Sequence, residues 1–162
     1  MKTPRMKPLA TQLKRMEMRW PNLQPRPSGP GALAWLGPLR GFQRPYHVFV
    51  RWSIAGALPP LVFVLKPQIE PREGETFDDI PHLIFDEADP RDSALCLFDP
   101  EEGEWGPHML IADTTIPWAS EWLHAYELWH ATGVWSRASA PGPASRAELQ
   151  AMRGEQPDAA RA

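Results

Sequence analysis

Proline punctuates this chain so densely, twenty times in 162 residues, that no long uninterrupted helix can run through most of it. An interior proline removes one helical hydrogen bond and clashes with the turn before it. Two windows escape this constraint. Over residues 9–20, Leu9, Leu13, Met16 and Trp20 recur at helical spacing, with Lys14, Arg15 and Arg19 turned outward and Pro21 as the stop. Over 116–132, Trp118, Trp122, Tyr126 and Trp129 fall on one face of a second helix. Thr114 or Thr115 can cap this helix, Pro117 stands in its first turn and Gly133 is a natural end. A stripe of this kind reads as core and not as a ligand box.

Between the helices the pattern changes to that of strands. Tyr46 to Trp52 alternates aromatic and β-branched residues, and Leu61 to Leu65 is the short apolar run of a buried strand. Residues 33–36 are a candidate preceding strand, with Gly37-Pro38 and Gly41 as turn punctuation after it and a loop over 22–31 before it. From Pro67 to Asp92 the chain is acidic and loop-like, relieved by Leu83-Ile84-Phe85. The order of helix, antiparallel strands, irregular stretch and helix is that of an α+β domain with both helices on one sheet. The expected organisation is an N-terminal extension over 1–8, one domain over 9–135 and an Ala/Pro-rich disordered tail over 136–162.

Charge is nearly balanced in total, at −3, but not along the chain. Residues 1–51 carry ten Lys/Arg and one acidic residue, Glu17, while residues 67–105 carry thirteen Asp/Glu against Arg72 and Arg91. Solvated faces explain such runs, and so does a pair of docking surfaces of opposite sign. Nucleic acid is not an expected partner, because the basic end is broken by proline and carries no known nucleic-acid motif. No apolar run approaches the ~20 residues that span a membrane, no secretory signal is expected, and a cytoplasmic location is expected. No phosphate-binding glycine loop is found. His124 and His130, six residues apart on the second helix, do not make a zinc motif, so neither metal nor cofactor is expected.

The single cysteine, Cys96, excludes an intrachain disulfide and a cysteine-based zinc cluster. It lies in Leu95-Cys96-Leu97-Phe98-Asp99-Pro100, after Pro81-His82 and before Trp105-Gly106-Pro107. Its apolar flanks suit a small buried hydrophobe, and its acidic neighbours disfavour a resting thiolate. Its place between an irregular segment and a glycine turn suits an exposed nucleophile. His82 is open to three roles: base for the thiol, oxyanion donor, or a structural residue of the loop. His108 is a second candidate for the same roles.

These pieces, in this order, resemble the ubiquitin-conjugating enzyme fold in its divergent bacterial form. That family runs from an N-terminal helix through a four-strand meander to a His-Pro-Asn segment, the catalytic cysteine, a Trp-Ser/Thr-Pro turn and a helix. The stretch Leu110-Ile111-Ala112-Asp113-Thr114-Thr115-Ile116-Pro117-Trp118-Ala119-Ser120-Glu121-Trp122-Leu123 is similar to the Ile-Ala-Asp-Thr…Pro-Trp-x-Ser-Glu-Trp-Leu run of small bacterial members. Those members belong to the short type II CBASS antiphage group.

The resemblance implies that Cys96 forms a thioester with a protein C-terminus, that of a cyclic-oligonucleotide synthase, and passes it to an acceptor in antiphage defence. It implies that His82 shapes the active-site loop and that Trp105 and Pro107 brace the turn beyond the cysteine. Asp99 or Glu101 could deprotonate or orient an incoming amine, and a homodimer is a candidate assembly. The chain departs from the family at two points. Leu83 and Ile84 follow His82 where the oxyanion-stabilising Asn would stand, and the segment between the Pro-His pair and the cysteine is longer. Two other readings stay open: a binding module of this fold without chemistry, and a cysteine hydrolase using His82 or His108.

Overall fold

Strict alternation in Pro45–Ser53 buries Tyr46, Val48, Val50 and Trp52 on one side and leaves Pro45, His47 and Arg51 exposed on the other. In the computed structural model, which describes residues 2–56, 58–98 and 103–136, this segment is the third strand of a four-stranded antiparallel sheet. In chain order the elements are α1 (Leu9–Arg19), β1 (Gln24–Arg26), β2 (Ala32–Arg40), β3 (Pro45–Ser53), β4 (Leu61–Lys66), β5 (Leu83–Ile84), β6 (Ala94–Leu95) and α2 (Thr115–Thr132). β1 to β4 form a meander in sequence order, and β5 pairs with β6 as a separate two-stranded ribbon. Met16 of α1 and Ile116, Trp122, Leu123 and Tyr126 of α2 share one apolar core with Trp35, Val48, Val50 and Val62 of the sheet.

Several local expectations are corrected. The 22–31 loop contains β1, three exposed residues paired to β2 from Gln24↔Leu36 to Arg26↔Ala34. Gly37-Pro38 is not a turn, because β2 runs through it to Arg40. A Cβ on Gly37 would land on the Asn22 carbonyl oxygen, so this glycine serves close backbone approach. On α1 the buried residues are Gln12 and Met16, while Leu13 faces solvent. Gln12 fills that inner position because both ends of its amide are satisfied. Its Nε2 donates to the Met109 carbonyl at 2.8 Å, and its Oε1 accepts the Ile111 N–H at 2.9 Å. Thr114 precedes α2 without capping it through its side chain; its hydroxyl donates to the Leu110 carbonyl at 2.8 Å.

α2 is tied to the β2–β3 hairpin by polar groups at its rim. Ser120 Oγ donates to the Arg40 carbonyl at 2.8 Å, and Glu127 accepts the Gln43 N–H at 2.7 Å and the Tyr46 hydroxyl at 3.1 Å. Burial pushes the Tyr46 phenol up to about 12 against the opposing effect of the Arg44 hydrogen bond, so it stays a neutral donor. Gly41 has no room for a Cβ between Glu127 and Tyr46. At the far end Gly133 takes the left-handed conformation, φ 79°, as a terminator of this kind does.

Candidate active site

Two very short strands bring the cysteine and the Pro-His segment together. Leu83 pairs with Leu95 and Ile84 with Ala94, and the next bond beyond the ribbon runs from the Cys96 N–H to the His82 carbonyl at 2.8 Å. Leu95, Leu97 and Phe98 are buried. Cys96, between them, is partly exposed. Its Sγ lies 3.7 Å from the Phe98 carbonyl oxygen, a distance at which a thiol is a weak donor.

His82 is held in an unusual way. Its φ is +54°, the only positive value on a non-glycine residue among the described residues. The residue is 5% exposed, which removes most of its imidazole from solvent. The ring stacks on Trp135, with centroids 5.2 Å apart and planes at 30°. Its carbonyl oxygen accepts a second hydrogen bond, from Trp122 Nε1 at 2.9 Å. One carbonyl thus meets both the cysteine segment and α2.

Beyond the cysteine, Trp105 packs edge-on against Trp52, with centroids 5.5 Å apart, and its Nε1 donates to Thr114 Oγ1 at 3.2 Å. Phe98 fills the space between Trp105 and Trp118. The Pro107 carbonyl accepts the Lys7 N–H at 2.8 Å, which pins the segment before α1 to this turn. His108 is exposed. A Cβ on Gly106 would approach its ring to 2.7 Å, so the imidazole lies over the turn where the family pattern has Ser or Thr. Trp52, Ile54, Leu58, Phe98, Trp105 and Pro107 line an apolar groove of about 320 Å³. Phe98 links this groove to the thiol. Asp99, with residues 100–102, lies outside the described residues, as does the expected tail beyond Ser136.

Much of the charge asymmetry is used in local structure. Asp79 accepts the Thr76 N–H at 2.8 Å, and Asp86 accepts the N–H groups of Ala88 and Asp89 at 2.9 and 3.2 Å. Arg15 and Arg19 converge on Asp113 at 3.0 and 2.7 Å. Burial pulls the Asp113 carboxyl up, and hydrogen bonds from Arg19 and Arg15 reverse this and hold it below the usual range. Among the described residues no cluster of His, Cys, Asp or Glu could hold a metal ion. No described helix is long and apolar enough to cross a membrane.

The sequence model of the family described as Type II CBASS E2 protein matches residues 12–142, which takes in α1 from Gln12 onward, the sheet, the Cys96 segment and α2. The chain belongs to the type II CBASS E2 family. Its α+β architecture, with an N-terminal helix, a four-stranded antiparallel sheet and a C-terminal helix, is the ubiquitin-conjugating fold. Membership gives this E2 protein an E2-like role in CBASS defence. No curated protein matches the sequence. Two residues that touch His82 were not singled out as site residues from the sequence. Trp122 was visible only as part of the core stripe, and Trp135 only as the first aromatic beyond the Gly133 stop.

Proposed function

We propose that this E2 protein is a cysteine acyl carrier. The supporting observation is the partly exposed Cys96, the single cysteine of the chain, whose backbone N–H is held by the His82 carbonyl at 2.8 Å. The Cys96 thiolate attacks the activated C-terminal carbonyl of a partner protein, a cyclic-oligonucleotide synthase. The carbonyl's leaving group departs with its electron pair, and a thioester forms. An acceptor amine then attacks that carbonyl, an amide forms, the Cys96 thiolate is released, and the amine proton passes to a carboxylate, for which Asp99 is the candidate. Activation of the carboxyl is supplied by a partner.

The Cys96 N–H is committed to the His82 carbonyl, so stabilisation of the oxyanion falls to another donor. His108, exposed on the turn beyond the cysteine, is the candidate side chain. Loss of one such donor commonly costs about 10²–10³ in rate, which makes His108→Ala a useful probe of transfer.

The test uses Cys96→Ser. A carrier with serine at this position accumulates an oxyester with the synthase that resists a thiol reductant and is cleaved by hydroxylamine. Absence of any adduct in both the native and the serine protein, with the synthase and its activating partner present, contradicts the proposal. A second reading, a binding module of the same fold without chemistry, is favoured by the burial of the His82 imidazole. It predicts that Cys96→Ala leaves complex formation and phage resistance unchanged.

A further inference from the structure

Gly133 ends α2 with its N–H returned to the Trp129 carbonyl at 2.7 Å, and the chain turns back over the site. Two residues later Trp135 stacks on His82 and meets Trp122 edge-on, with centroids 5.2 Å apart in both pairs. His82 and Trp122 are the residues joined by the indole hydrogen bond to the His82 carbonyl, the same carbonyl that fixes the Cys96 N–H. The left-handed φ of His82 is disfavoured for a residue with a Cβ and persists only where the surroundings over-determine it.

We infer that Trp135 is a positioning residue for Cys96, acting through His82: its ring holds His82 in the conformation whose carbonyl fixes the Cys96 backbone. The indole N–H of Trp135 is buried and makes no hydrogen bond among the described residues, so the contribution is that of the ring face and a phenylalanine can supply it. The functional meaning of this role rests on the acyl-carrier reading of Cys96. The geometric claim stands apart from it and can be measured without any thioester.

Cys96 is the only cysteine of the chain, so alkylation of the native full-length protein by iodoacetamide reads this thiol alone. W135A should raise the alkylation rate about three- to tenfold, the range that loss of an aromatic contact produces in a local opening equilibrium. W135F should return it to within about twofold of wild type. On an H82G background, where glycine adopts the left-handed backbone without support, W135A should add less than about a twofold change, the non-additivity of residues acting through one another. Circular dichroism and thermal unfolding check that each variant is folded, and W135L, which keeps apolar bulk without a ring, replaces W135A if the latter unfolds.

A wild-type rate in folded W135A, a W135F rate as high as that of W135A, or an undiminished W135A effect on H82G would each overturn the inference. Failure of the wild-type protein to form any thioester would instead sink the acyl-carrier reading and leave these rates where they are.

Discussion

The backbone N–H of Cys96 donates to the carbonyl oxygen of His82 at 2.8 Å, so a main-chain bond ties the cysteine to the Pro-His segment. The bond continues the two-residue ribbon of β5 and β6. It fixes where the cysteine side chain emerges from between buried Leu95 and Leu97. Because the same carbonyl takes the Trp122 indole N–H, α2 and the cysteine segment share one anchoring atom.

Trp122→Phe keeps most of the buried ring and removes the indole donor. The His82 carbonyl keeps the Cys96 N–H but loses its tie to α2, and the expected loss is about 1–3 kcal/mol. Urea unfolding should show a lower midpoint with an unchanged slope. An unchanged midpoint would mean that the indole bond contributes nothing to the fold.

The Gln12 side chain bonds α1 to both the Met109 carbonyl and the Ile111 N–H. In Gln12→Leu both backbone groups lose their partner in a buried place. At about 1–3 kcal/mol for each such group, partly offset by the added apolar side chain, the net loss should be about 2–4 kcal/mol in chemical denaturation. A neutral or stabilising result would show that water reaches these groups.

How much of this was legible depends on the length of each repeat. α1, β3, β4 and α2 each carry several turns or alternations, and their expected spans agree with the structure to within a residue or two. Gln24–Arg26 carries no apolar pattern at all, since all three residues are exposed; only pairing with β2 makes it a strand. Gln12 took the place expected of Leu13 because a polar side chain with two partners can be buried, and those partners lie far away in sequence. The Cys96 neighbourhood was legible through its resemblance to a family. The stacking of Trp135 on His82 was not, because nothing in a lone tryptophan after a glycine says where the chain turns back.

Acid should weaken one specific link between α1 and the segment before α2. Asp113, paired with Arg15 and Arg19, has its carboxyl held below the usual value of 3.8. A carboxyl depressed by folding adds stability at pH values above its unfolded pKa and loses it as pH falls through the folded one. Both arginines are substantially exposed, so each pair is worth less than about 1 kcal/mol. Asp113→Asn should lower the melting temperature slightly at neutral pH, and the gap to wild type should close as acid protonates the Asp113 carboxyl of the folded protein. A gap that stays constant as pH falls would contradict the assignment.

If Cys96 carries an acyl group from a protein C-terminus, as proposed, intact mass spectrometry of the E2 protein isolated with the proposed synthase and activating partner should show it. A covalent adduct with the mass of the synthase less one water is expected, absent in Cys96→Ala and released by hydroxylamine. An adduct that persists in Cys96→Ala, or none on the native protein under these conditions, would contradict the proposal.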